Sequence, residues 1–326
     1  MENRGILVVR LSAMGDVIHT IPAAATLKHS FAGCHLAWVV DPKWAVLLEG
    51  NPYVDEIVPF DRRKLGSYWA TRKRLRAARF DAVFDFQGLF KSAIVAQAAR
   101  PEAIHGFHQS HLREPLAALF YSHRVKVSAK HVVDRNIELA AAAGASNVVK
   151  SFPLPAGAPE GELPGGPFVL ASPLGGWRSK QWPLEHYGRL AELLRAELGL
   201  PLVLNGAPAD EAAFGRLKNC RTHLSSVTGL IDATRRATAV VGIDSGPMHL
   251  AAGLGKPGVA IFGPTDPARN GPYAGSFTVI RDPVAVTTYK RDPEIALCMK
   301  RVTPETVFAA LAERLEQREA AEGGAD

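Results

Sequence analysis

Ile6-Leu7-Val8-Val9 runs into Arg10-Leu11-Ser12-Ala13-Met14-Gly15-Asp16, and from Val17 onward the pattern turns helical. A short apolar run, a glycine-bearing loop and a helix make one βα unit, and a chain built from such units forms a parallel sheet. The rhythm repeats. His35–Val40 and Glu56–Pro59 read as strands, Arg72–Phe80 as a basic amphipathic stretch, 82–86 as a buried strand and 91–99 as a helix. The helix expected from Val17 carries Pro22 in its first turns, where the missing N–H is tolerated.

Ser151–Pro167 is rich in Pro and Gly and has no periodicity, which is the composition of a linker. Beyond it the βα rhythm restarts. Strands are expected at 168–171, 202–204, 239–243 and 259–262, and helices at 184–198, 211–218, from Met248, and from Pro304 to about Gln317. The tail 318–326 is expected to fray. The reading is an α/β chain of two Rossmann-like domains, 1–155 and 156–326. Open parallel sheets bind ligands beyond the carboxyl ends of their strands, so two sheets facing across a cleft give the expected site.

The chain has 326 residues, 47% hydrophobic, with a formal charge of +6. That excludes collagen, low-complexity disorder and a disulfide scaffold. Cys34, Cys220 and Cys298 are far apart and form no CxxC pair, which fits a reduced, cytoplasmic setting. Met1–Arg4 followed by a short apolar run is not the pattern of a signal peptide. The positive balance points to an anionic partner. No GxGxxG, no P-loop and no DxD pair occur, so dehydrogenase, P-loop and metal-clamp readings fall, and neither metal nor cofactor is expected.

Three loops that follow strands carry chemistry. Asp16 precedes a helix, where a carboxylate caps the first turn or serves as a general base, and its position leaves both readings open. His19 reads as a packed histidine. Gly175 and Gly176, with Arg178 and Lys180, make a loop suited to cradling an anion through backbone N–H groups and an ammonium. Asp244-Ser245-Gly246-Pro247-Met248-His249 opens a helix, with Pro at its first turn and Asp244 or Ser245 as its cap. Such a helix start suits a diphosphate. Arg62 to Arg79 holds eight basic residues and no acid, yet no nucleic-acid motif accompanies them.

Together these segments resemble the ADP-heptose:lipopolysaccharide heptosyltransferases of glycosyltransferase family 9. The resemblance rests on Ser12–Pro22, Asp85-Phe86-Gln87-Gly88-Leu89-Phe90-Lys91-Ser92, Arg113-Glu114-Pro115-Leu116-Ala117, Lys180-Gln181-Trp182-Pro183, Asn205–Pro208, Asp244–Ala252 and Phe262–Pro267, in family order along the chain. The 87–92 and 113–117 segments look most like the type I branch. The resemblance implies a GT-B fold and inverting, metal-independent transfer of heptose from ADP-heptose to a Kdo residue of Kdo-lipid A. It implies work at the cytoplasmic face of the inner membrane, peripheral to its anionic surface.

By position, Asp16 would be the general base and Lys180 the cation facing the donor phosphates. Ser12, Met14, Gly15, Gly175, Gly176, Asp244, Ser245, Gly246, Pro247, Met248 and His249 would complete the donor site. Arg62, Arg63, Lys64, Gln87 and Arg113 would meet the acceptor. The first domain would hold acceptor and the second the nucleotide sugar, with Asp210 or Glu211 reaching the ribose. Gly175 and Gly176 stand where type I relatives carry hydroxyl residues, so backbone contacts to phosphate are expected there. The segment Ser225–Ala239 is short for the family. Another GT-B enzyme, such as a UDP-N-acetylglucosamine 2-epimerase-like protein, and a non-catalytic polyanion binder are the competing readings.

Overall fold

A computed structural model describes residues 5–323, less the side chains of residues 319 and 321–323. The reading made on Met1–Arg4 and the end of the 318–326 tail lie outside these residues. The chain divides into two compact units, Met1–Pro155 and Ala156–Asp326.

The first unit runs β1 (Gly5–Val9), α1 (Met14–Ile18), α2 (Ile21–Ser30), β2 (His35–Val40), β3 (Glu56–Pro59), α3 (Leu65–Ala78), β4 (Ala82–Asp85), α4 (Phe90–Ala98), β5 (Ala103–Phe107), β6 (His123–Val125) and α5 (Val132–Ala141). Its sheet has the order β3-β2-β1-β4-β5-β6, and every neighbouring pair is parallel. The second unit runs β7 (Val169–Ala171), α6 (Leu184–Leu198), β8 (Leu202–Gly206), α7 (Glu211–Phe214), β9 (Arg221–Leu224), α8 (Val227–Arg236), β10 (Ala239–Ile243), α9 (Gly246–Gly253), β11 (Gly258–Phe262), α10 (Pro267–Asn270), β12 (Phe277–Arg281), α11 (Leu297–Arg301) and α12 (Pro304–Gly323). Its sheet has the order β12-β11-β10-β7-β8-β9, again all parallel.

Numbered within each unit, both sheets read 3-2-1-4-5-6, the doubly wound dinucleotide-binding order. The order reverses between β1 and β4 in one unit and between β7 and β10 in the other. Crossovers between parallel strands are right-handed, so reversing the direction of travel moves the connecting helices to the opposite face. In the first unit α3, α4 and the 3-10 turn Pro115–Phe120 therefore share one face. Leu75, Ala93, Ala96 and Ala117 pack there against Leu7, Val9, Val39 and Val83. In the second, α6 and α12 share a face, burying Tyr187, Leu190, Leu194, Val307 and Leu311 against Val169, Leu204 and Val241. Helices on both faces explain why the central strands are uninterrupted apolar runs.

Three expectations need correction. The helix expected from Val17 is two helices. Pro22 has no N–H to return to Ile18, so the chain breaks at His19-Thr20, and Thr20 Oγ1 donates instead to the Asp16 carbonyl at 2.8 Å. The helix expected over 211–218 ends at Phe214. The last helix continues six residues past Gln317, to Gly323. The Pro/Gly-rich stretch 151–167 has no helix or strand but is anchored. Asn51 donates to the Pro153 carbonyl at 2.9 Å, and the Glu160 carboxylate accepts from Ser226 N–H at 2.7 Å and Ser226 Oγ at 2.5 Å.

Candidate functional site

The two switch points carry the charged loops, and each is described in its own unit. At the first, Val9 ends β1 and hands the chain to Arg10, whose guanidinium is buried. One Arg10 nitrogen, Nη1, donates to the Phe86 carbonyl beyond β4, and the other, Nη2, meets Asp16 Oδ1 at 2.5 Å. Asp16 Oδ2 accepts the Ala13 N–H at 2.9 Å. Asp16 is therefore not the N-cap. Ala13 holds that position, and Asp16 closes the first turn from three residues on. Both its oxygens are oriented, yet the side chain keeps 44% of its surface in solvent. It is a fixed, accessible carboxylate.

The loop after β4 is tied to the same point. Gln87 Oε1 accepts the Leu11 N–H at 2.7 Å. Behind it lies Asp85, fully buried, which accepts from Gln87 N–H (3.0 Å), Gly88 N–H (3.1 Å), Ser92 Oγ (2.8 Å) and Tyr121 Oη (2.7 Å). Burial pushes the Asp85 carboxyl upward against the pull of these four donors, and burial together with the Asp85 charge pushes the Tyr121 phenol upward. Gly88 is required here. Its φ is +67°, and a Cβ would collide with Leu112. Gly106 likewise leaves room for the Tyr121 ring. Sequence reading found the 85–92 segment but not this network, nor the role of Arg10.

The remaining first-unit candidates separate. Ser12 is half-buried beside Asp16, whereas Met14 and Gly15 are buried, so the Met14 side chain packs and offers no surface to a ligand. His19 is buried, edge-on to His131. Arg62, Arg63 and Lys64 are exposed beyond β3, and Arg113 is exposed beyond β5. Asp61 takes Arg63 Nε at 3.1 Å and Lys64 Nζ at 3.8 Å. The Arg63 hydrogen bond holds the Asp61 carboxyl below its ordinary range.

At the second switch point Lys180, from the loop after β7, reaches Asp244, from the loop after β10. Nζ to Oδ2 is 2.6 Å, and the two side chains are only 14% and 5% exposed. His249 Nε2 lies 3.5 Å from Asp244 Oδ1. Burial opposes ionisation of Asp244, but the His249 hydrogen bond and the Lys180 charge overcome it and hold the carboxyl far below its usual range. The Lys180 ammonium also sits 4.3 Å from the centre of the Trp177 ring, over which the Arg291 guanidinium lies at 4.8 Å.

Ser245 is the N-cap of α9 by backbone, but neither it nor Asp244 caps through its side chain, contrary to expectation. Gly246 and Pro247 begin the helix, and with no cap bond from the Ser245 side chain its first turn can receive an anion. Met248 is buried against Gly242 and serves packing. Gly175 packs against Ile243 and Ser245, its carbonyl taking Gln181 Nε2 at 2.9 Å, while Gly176 faces open space. Asp210 accepts the Ala207 N–H at 2.8 Å, and Glu211 is exposed. Trp182 is buried and donates to the Val302 carbonyl at 2.9 Å. Beside this centre lies a cavity of about 370 Å³ walled by Ser179, Pro264, Thr288, Lys290, Ile295 and Leu297. The 288–297 stretch has no periodicity to announce it. Among the described residues no cluster of three or more His, Cys, Asp or Glu is placed to hold a metal ion.

Two 3-2-1-4-5-6 sheets with charged loops at both switch points are the architecture of the GT-B class. The family model for glycosyltransferase family 9 (heptosyltransferase) matches residues 68–297. Lipopolysaccharide heptosyltransferase 1 of Escherichia coli K12 is 32% identical over 306 residues, covering 85% of this chain and 93% of the relative. The enzyme of that name from Pseudomonas aeruginosa is 31% identical, covering 83% and 82%. The structure of E. coli heptosyltransferase WaaC with ADP superposes with a TM-score of 0.75 at 27% identity, over 95% of this chain and 99% of that one. The same enzyme with ADP-2-deoxy-2-fluoro heptose gives 0.75 at 28% identity, with the same coverage. The chain belongs to glycosyltransferase family 9, the heptosyltransferases, and is a glycosyltransferase.

Proposed function

We propose that this glycosyltransferase moves L-glycero-D-manno-heptose from ADP-heptose to a Kdo residue of Kdo-lipid A, in the inner core of lipopolysaccharide, with inversion and without a metal ion. The observation that carries the reading is the pairing at the second switch point. A half-buried ammonium, Lys180, is held 2.6 Å from Asp244 at the open start of α9. The likeness to an enzyme solved with ADP and with a fluorinated ADP-heptose supports the choice of donor.

In this reading the second unit holds the donor. Gly175, Gly176 and the first turn of α9 (Gly246, Pro247) receive the diphosphate through backbone, with Ser245 and His249 beside them. Asp244 faces the sugar hydroxyls and fixes Lys180. The first unit holds the acceptor through Arg62, Arg63, Lys64, Gln87 and Arg113. The acceptor oxygen attacks the anomeric carbon as the bond from that carbon to the phosphate oxygen breaks. The bonding pair leaves with ADP, and the hydroxyl proton passes to the Asp16 carboxylate. Negative charge grows on the diphosphate, where Lys180 and the helix start already stand. General base catalysis by Asp16 contributes about 10²–10⁴-fold.

The acceptor is lipid-linked, so the enzyme works at the cytoplasmic face of the inner membrane, drawn to anionic headgroups by its basic residues. Among the described residues no helix is long and apolar enough to cross a membrane. Incubation with ADP-heptose and Kdo-lipid A releases ADP together with a heptosylated lipid. ADP-heptose left intact under these conditions refutes the proposal.

A further inference from the structure

The face of the first sheet covered by α3, α4 and the turn Pro115–Phe120 displays side chains that the transfer step does not use. Leu65, Trp69, Leu116 and Leu119 are between 61% and 87% exposed, and Phe90 is exposed with them. Leu65 and Trp69 stand one turn apart on α3 and share its outer side, while Thr71 and Leu75 are buried beneath. On the 3-10 turn, Ala117 and Ala118 enter the core as Leu116 and Leu119 point outward. The Phe90 ring meets Phe120 edge-on at 5.3 Å, and its N–H donates to Glu114 at 2.7 Å, joining α4 to the turn. Leu65, Trp69 and Phe90 sit in the opening turns of helices that begin beyond the carboxyl ends of β3 and β4, and Leu116 and Leu119 lie in the connection that leaves the carboxyl end of β5. That is the end of the sheet that carries Asp16, Gln87, Arg113 and Arg62–Lys64.

The charge around these side chains is predominantly positive. The segment from Arg62 to Arg79 contributes eight cations and no acid, and Lys91 and Arg113 add to them. Arg74 is taken by Glu56 at 2.6 Å, Arg63 and Lys64 share Asp61, and Glu114 is occupied by the Phe90 N–H. The Arg72 guanidinium lies 5.3 Å from the Trp69 ring. Leucines and a tryptophan projecting from a cationic face match the boundary of an anionic bilayer, with apolar side chains below the headgroups and cations among the phosphates. A symmetric second copy fits poorly, because the same cations would face one another.

We propose that this face is the surface by which the protein seats on an anionic lipid bilayer, with Leu65, Trp69, Leu116 and Leu119 entering the interface. It rests on the lipid-linked acceptor of the proposed function and adds where and how the membrane is met. Seated this way, the acceptor cations beyond β3 and β5 stand at headgroup level, where a membrane-borne sugar emerges.

The test uses the full chain, sedimented with phosphatidylcholine vesicles with and without phosphatidylglycerol. The wild-type chain partitions to the acidic vesicles, less so at high salt. The pairs Leu65→Ser/Trp69→Ser and Leu116→Ser/Leu119→Ser each lower the partition coefficient by roughly tenfold or more. Their melting temperatures and their transfer to an acceptor stripped of acyl chains stay at wild-type levels. Trp69→Ser alone supplies the comparison should a pair unfold. Wild-type partitioning in every variant, or no binding to acidic vesicles, overturns the assignment. So does concentration-dependent dimerisation that the same variants abolish. Loss of vesicle binding in the variants supports the surface even in a preparation that transfers no heptose, so the two readings fail separately.

Discussion

Replacing Lys180 by Ala strands a charge. Asp244 is 5% exposed, and its ammonium partner lies at 2.6 Å, so the variant leaves a buried carboxylate with His249 beside it at 3.5 Å. Breaking a buried pair by removing one member costs about 3–5 kcal/mol. For a unit of this size each kcal/mol lowers the melting temperature by roughly 2–4 °C, so a fall of about 10 °C is expected at neutral pH. The pH dependence has a definite sign. The folded Asp244 is held below its ordinary range, so its stabilisation is complete above the unfolded carboxyl value near 4 and is lost as pH falls below it. In the variant, protonation of Asp244 relieves the stranded charge, so the deficit relative to wild type narrows as pH drops toward about 4. Calorimetry from pH 8 to about pH 2 reads both effects. Asp244→Asn in the Lys180→Ala background should recover a large part of the lost stability, a strongly non-additive cycle. A melting temperature unchanged at neutral pH, or an additive cycle, would refute the idea that these two side chains hold one another.

Other outcomes follow from the same geometry. Asp16→Asn should lower turnover by about 10²–10⁴-fold while the ADP dissociation constant, read by calorimetric titration, stays near wild type. Arg10→Ala releases one oxygen of Asp16 and the Phe86 carbonyl, so kcat should fall while KM for the donor barely moves, and Arg10→Lys should recover part of the rate. Tyr121→Phe takes one donor from the buried Asp85 carboxyl, and denaturant titration should show a loss of about 1–3 kcal/mol. Chelator treatment should leave transfer unchanged; a loss restored by a divalent ion would remove the metal-independent mechanism.

Much of the fold was legible because strands buried on both faces are short unbroken apolar runs. His35–Val40 and Ala239–Ile243 read at once, with their observed bounds, and so did Glu56–Pro59, although β3 lies at a sheet edge. The strands missed are those at sheet edges or interrupted by small and polar residues. β6 is His123-Arg124-Val125 and β9 is Arg221-Thr222-His223-Leu224, and each pairs with one neighbour only. β5 carries His105 and Gly106 amid its apolar residues, and Gly106 is there for the Tyr121 ring. At the site, the charged loops were visible because each follows a strand. Their partners were not. Arg10 meets the Phe86 carbonyl 76 residues away, and Lys180 meets Asp244 across 64, because β1 lies beside β4 and β7 beside β10. Strand order is a property of the assembled sheet, and local patterns do not encode it.

The repeated strand order makes the molecule a blueprint used twice, with charge as the mark that tells the copies apart. In each copy the leading strand delivers its loop to the address where winding reverses. One address displays an acid clamped by an arginine, and the other an ammonium clamped by an acid. Near-identical architecture thus becomes chemically directional: in the proposed transfer one copy takes up a proton and the other steadies a departing anion.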